Sequence, residues 1–135
     1  MELKILPEFF SVCKVASLED VNMKAEYFFI ARTDQEISLV CLTKDVPANT
    51  VARDDSWLAF RVQGILTFSL VGILSKITTI LADNGISVFA ISTYNTDYVL
   101  FKLENFDKAM EVLSNEGYEV VMENSDIAWF HSGAQ

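Results

Sequence analysis

The chain has 135 residues, 51% of them apolar, and a formal net charge of −9, a length that admits one ordinary domain or two very small ones sharing a core. The acidity, with Lys14, Lys24, Lys44 and Lys76 scattered, argues against nucleic acid, whose phosphates need clustered cations. No apolar run reaches membrane-spanning length and Met1-Glu2-Leu3-Lys4 lacks the layout of a signal peptide, so a cytoplasmic protein with no membrane partner is expected.

In chain order, Leu3 to Leu6 is apolar but checked by Pro7, and Phe9 to Val15 reads as a strand. Ser17-Leu18-Glu19-Asp20 offers a helix start with an acidic first turn, but the pattern fades by Ala25, so that helix is short at best. Tyr27 to Arg32 and Ile37 to Leu42 are strand-like on either side of the polar turn Thr33-Asp34-Gln35-Glu36, which predicts an antiparallel hairpin. Thr43 to Ser56 is charged, holds Pro47 and has no period; it reads as a linker.

Trp57 to Gln63 alternates, with Leu58, Phe60 and Val62 on one face, and opens a second unit. Ile73, Leu74, Ile77, Ile80 and Leu81 have the spacing of one buried helical face, with Ser69 as N-cap and Asn84-Gly85 as the stop. Ile86 to Thr93 and Tyr98 to Leu103 then form a second hairpin around Tyr94 to Asp97. Asn105 and Asp107 cap a second helix with Ala109, Met110, Val112 and Leu113 inward, and Gly117 stops it before a last strand, Tyr118 to Met122.

Strand, helix, strand, strand, helix, strand is the βαββαβ order, an antiparallel sheet with helices on one face. The first half repeats its beginning, with Asp34 set against Asp97 in the hairpin turn, but lacks a full second helix. The expected fold is therefore α+β, two tandem ferredoxin-like units. Residues 1–56 form a worn-down first unit, completed by a returning tail with Ile127, Trp129 and Phe130, and residues 57–135 form the second. Cys13 and Cys41 lie in apolar segments and read as buried thiols ahead of a disulfide. His131 is the only histidine and has no visible partners for a metal site or a proton relay.

Phe68-Ser69-Leu70, Gly72-Ile73, the Asn84-Gly85-Ile86 stop and Ile91 to Leu100 resemble the ACT domain family, the small regulatory modules of amino-acid metabolism. More narrowly, they are similar to short two-repeat ACT proteins related to aspartate kinase regulatory domains and to cytosolic arginine sensors of animals. That resemblance implies a βαββαβ fold, a homodimer, and a small amino acid or related metabolite held by the loop and helix start. It points to Ser69, Leu70, Gly72, Ile73, Thr93, Tyr94, Asn95 and Asp97.

The chemistry of such a site is that of a zwitterion. Backbone N–H groups near Ser69 to Ile73 at a helix start suit the carboxylate, Gly72 gives room for close approach, and Asp97 with carbonyls of Ser92 to Asn95 suits the ammonium. Tyr94 is placed to cover the ligand. Without the resemblance, Ser69 and Gly72 read as a cap and a close helix crossing, and Asp97 as a turn former. Leu70 stands where a selector for a charged side chain would be, which favours a small or apolar amino acid. No phosphate loop, metal spacing or nucleophile motif is present, so neither catalysis nor a cofactor is expected. The alternative is an interaction module that keeps the fold without a ligand, docking through Trp57, Phe89 or Tyr98.

Overall fold

A computed structural model describes residues 1–63 and 72–122. The expectations for Ser69, Leu70 and the C-terminal tail lie outside those residues. Among the described residues, seven strands and two helices follow the order β1 (Glu2–Val15), β2 (Phe28–Arg32), β3 (Ile37–Leu42), β4 (Ala52–Val62), α1 (Ile73–Asp83), β5 (Val88–Ser92), β6 (Asp97–Lys102), α2 (Phe106–Asn115) and β7 (Glu119–Val121). The chain is α+β, as its periodicities predict. It divides into two units, Glu8–Trp57 and a second made of Met1–Pro7 with the chain from Leu58 onward; β1 and β4 each contribute to both.

In the first unit the strand order is β2-β3-β1-β4. β2 and β3 form the expected hairpin, with Phe28 opposite Cys41 and Arg32 opposite Ile37, and β3 continues antiparallel to β1, with Ser11 opposite Cys41 and Cys13 opposite Leu39. The expected short helix is a single 3-10 turn, Leu18–Asp20, whose N-cap Ser17 accepts from the Glu19 N–H. Another such turn, Thr43–Asp45, follows β3. Cys13, Val15, Leu39 and Cys41 form a core with Val21, against which Phe28, Ile30, Ile37 and Val46 pack. Both cysteines are free.

The supposed linker is shorter than its composition suggests. β4 already begins at Ala52, and its charged start is used: the fully buried Ser11 hydroxyl donates to Asp55 Oδ1 at 2.6 Å, while Arg53 clamps both carboxylate oxygens of Asp55. Ser56 interrupts β4 with φ +68°.

In the second unit the order is β7-β1-β4-β6-β5. β5 and β6 form the second hairpin, with Val88 opposite Phe101 and Ser92 opposite Asp97. The last strand does not lie against β4; it runs parallel to the start of β1, with Glu2 opposite Glu119 and Lys4 opposite Val121. Pro7 does not stop β1. It falls between the residues paired with β7 and those paired with β3, which begin at Phe10, where a missing N–H is tolerated.

α1 and α2 pack on each other and turn Ile77, Leu81, Ala109 and Leu113 fully inward. Phe106, the first residue of α2, stacks at 6.5 Å on Phe101, which meets Phe60 at 6.0 Å. Alternation marks Val99 and Phe101 as inward, yet Leu100 between them is also at 0% exposure, so β6 is buried on both faces.

Candidate functional site

Gly72 sets the start of α1. With φ +79° it is a left-handed N-cap that makes no side-chain bond to the first turn, and a helix cannot run through that conformation. The start therefore falls at Ile73, three residues beyond the place implied by Ser69. Nothing lies within 4 Å of where a Cβ on Gly72 would stand, so glycine serves the backbone angle and not a close approach. The first intrahelical bond runs from the Lys76 N–H to the Gly72 carbonyl at 2.9 Å, which leaves Ile73, Leu74 and Ser75 with no acceptor inside the helix.

Ile73, the first of the three, borders a cleft of about 270 Å³ lined also by Met1, Gly72, Lys76, Glu116, Gly117 and Tyr118. Glu116 is the C-cap of α2, so the positive end of one helix dipole and the negative end of another meet there. Lys76 lies on the first side and Glu116 on the second. Burial first, and the Glu116 carboxylate second, push the Tyr118 hydroxyl upward, which keeps it neutral and a donor.

The other expected residues are gathered in the β5–β6 turn. The Thr93 N–H donates to the Thr96 carbonyl at 2.8 Å; the Thr93 hydroxyl donates to the same carbonyl at 2.9 Å and accepts from the Thr96 N–H at 3.3 Å. Thr96 in turn donates to the Val62 carbonyl at 2.6 Å, tying the turn to the end of β4. Asp97 Oδ1 accepts from the Ser92 hydroxyl at 2.7 Å. Tyr94, at the tip, is 82% exposed.

The structure thus brings Gly72 and Ile73 together in the cleft and Thr93, Tyr94, Asn95 and Asp97 together in the turn. None of the four turn residues lines the cleft. Lys76, Glu116 and Tyr118 escaped notice in the sequence, although the βαββαβ order, which sets the start of one helix beside the end of the other, was the signal that pointed to them. Thr33 occupies in the first hairpin the place of Thr93 in the second, as its N–H donates to Glu36. That register sets Asp34 against Tyr94, and Asp97 against Ile37, correcting the expected match of the two aspartates. Among the described residues no group of three or more His, Cys, Asp or Glu is arranged to hold a metal, and no helix is long and apolar enough to cross a membrane.

Residues 52–115 match the model of the ACT domain. The protein Atu0741 from Agobacterium tumefaciens, known by X-ray crystallography, is 30% identical with a TM-score of 0.80, over 91% of this chain and 93% of that one. The chain belongs to the ACT domain family. The matched stretch runs from the first residue of β4 to the last of α2, so it includes Gly72, Ile73 and the β5–β6 turn but ends just before Glu116.

Two other solved structures share the fold. VC0802 from Vibrio cholerae, described as a possible transport protein, has a TM-score of 0.65 at 19% identity, over 84% of this chain and 88% of that one. The aspartate kinase of Clostridium acetobutylicum, described as an allosteric enzyme, has a TM-score of 0.60 at 14% identity, over 84% of this chain but 33% of its own. Among curated proteins none matches the chain.

Proposed function

We propose that this ACT-domain protein is a regulatory module that binds a free amino acid, with no catalysis of its own, in the cytoplasm. The observation that carries this reading is the cleft at the start of α1. A carboxylate there meets the Ile73 amide at the helix start and Lys76, while the ammonium of the same zwitterion meets Glu116 at the negative end of α2. Met1, Ile73 and Tyr118 give the side chain an apolar wall, which favours a small or apolar amino acid. Such a ligand regulates by preferring one arrangement of the protein over another. The likeness to an aspartate kinase described as allosteric supports the regulatory reading. A duplicated ancestry shared with the short two-repeat ACT proteins, and a homodimer, belong to the same proposal.

The test is a thermal-shift screen of the common amino acids, followed by titration of Lys76→Ala, Glu116→Gln and Asp97→Ala. One amino acid should raise Tm by several degrees at about a hundredfold excess over its Kd. Lys76→Ala and Glu116→Gln should weaken it tenfold or more. A complete screen without a shift would contradict the reading.

An interaction module without a ligand is the second reading, favoured by Tyr94 standing 82% exposed at the tip of a turn. Indifference of the wild-type chain to every amino acid, with a partner lost on Tyr94→Ala, would favour it.

A further inference from the structure

We infer that β7 is a strap which the ligand of the cleft fastens onto β1, so that binding is felt as closure of the sheet at that strand. The inference rests on the amino-acid reading above and adds how the same site regulates.

β7 is held by little. It has three residues, all exposed or half-buried, and among the described residues it pairs with one strand only, in parallel with the first residues of β1. Parallel pairing is the weaker kind. Its first pair sets Glu2 opposite Glu119, two like charges that work against the ladder.

Its flanks, by contrast, are secured. α2 ends in a cap in which the Gly117 N–H donates to the Ser114 carbonyl at 3.0 Å and the Tyr118 N–H to the Leu113 carbonyl at 3.1 Å, with Gly117 at the left-handed angle that such a cap needs, φ +93°. The start of β1 is tied to the end of β4, where the Gln63 N–H donates to the Glu2 carbonyl at 2.9 Å. Only the short ladder between these two anchored pieces is free to open.

The cleft sits where that ladder begins. Met1 lines it from the side of β1 and Tyr118 from the side of α2, and the first rung, from the Glu119 N–H to the Met1 carbonyl at 3.0 Å, is what holds the two side by side. A molecule that touches Met1 and Tyr118 while its charges meet Lys76 and Glu116 has all its contacts only when this rung is closed. With β7 released, the apolar wall comes apart and the backbone groups of Glu2 to Lys4 lose their partner strand. The ligand therefore prefers the fastened form and draws the chain into it, which is the differential affinity that a ligand-driven switch requires.

Amide hydrogen exchange of the full chain, followed by NMR with and without the amino acid that shifts its melting, tests this. At about a hundredfold excess over Kd the ligand should slow exchange at Glu119 and Val121 by about a hundredfold, while Thr33, in the hairpin turn of the first unit, keeps its rate. Without ligand, Glu119→Gln, which removes the like-charge pair, should slow Val121 by about twofold or more. Val120→Gly, which lies outside the cleft and loosens the strand, should weaken the ligand at least about tenfold; should that variant misfold, wild-type exchange and Glu119→Gln carry the test. A ligand that binds and is lost on Lys76→Ala, yet leaves Glu119 and Val121 exchanging as before, would overturn the strap and spare the cleft. Equal slowing at Thr33 would overturn it too, as stabilisation of the whole chain, and binding by no amino acid would remove the reading and the strap together.

Discussion

The two hairpins are built alike and covered differently. Each has a Thr-led turn whose first N–H bonds across to its fourth residue, Thr33 to Glu36 and Thr93 to Thr96, and each is followed by a 3-10 turn. Past that point they diverge. The second unit carries α1 and α2 over its sheet, while the first has single 3-10 turns and closes its core with residues of the connecting segments such as Val21 and Val46. Cys41 stands where Phe101 stands in the second hairpin. Opposite Cys41 the first hairpin has Phe28, and opposite Phe101 the second has Val88, so the large ring lies on the edge strand in one and on the inner strand in the other. The functional corollary is asymmetric, because among the described residues a helix start beside a cleft is found only in the second unit.

Substitutions at matched positions measure that difference. The largest effect is expected for Phe101→Ala, which removes a fully buried ring between Phe60 and Phe106 and should destabilise by about 4 kcal/mol in urea unfolding. Cys41→Ala, its counterpart, should lose only about 1 kcal/mol; equal losses would mean that the two cores are more alike than their side chains. Ser11→Ala comes next in size. It strips Asp55 of a buried donor at 2.6 Å and should lose about 2 kcal/mol, a typical value for a hydrogen bond to a charged group.

Thr33→Ala and Thr93→Ala should each lose about 1 kcal/mol, and similar values would show that the turns remain interchangeable although their surroundings do not. Ser56→Gly, relieving φ +68°, should gain about 0.5 kcal/mol in the same assay.

Alkaline pH separates the units further. Burial, with Cys13 next and then Asp45, pushes the Cys41 thiol up to about 12 from 9.0, and burial raises Cys13 as well. The folded state therefore holds these protons after the unfolded chain has released them. Their contribution is complete below about pH 9 and is lost as pH rises toward 12. Cys41→Val should flatten the fall in urea midpoint over that window relative to wild type.

Much of this was legible in the residues. The hairpins announce themselves by apolar runs around polar turns, and α1 by Ile73, Ile77 and Leu81 ending at Asn84-Gly85. What hid was long-range. Pro7 looks like a stop because local chemistry does not reveal that its place in β1 falls between ladders. Asp55 looks like linker because its partner Ser11 is distant in sequence. The helix start was misplaced because Ser69 has the chemistry of a cap, whereas Gly72 owes its place to a backbone angle. Lys76, Glu116 and Tyr118 converge only once the ends of two helices are set side by side, a relation no periodicity contains.

Isothermal titration of the wild-type chain with the amino acid that shifts its melting most bears directly on the asymmetry of the two units. One molecule should bind per chain, with that heat lost on Lys76→Ala while Thr33→Ala leaves it unchanged. Two molecules per chain, or no heat from any common amino acid, would contradict the account.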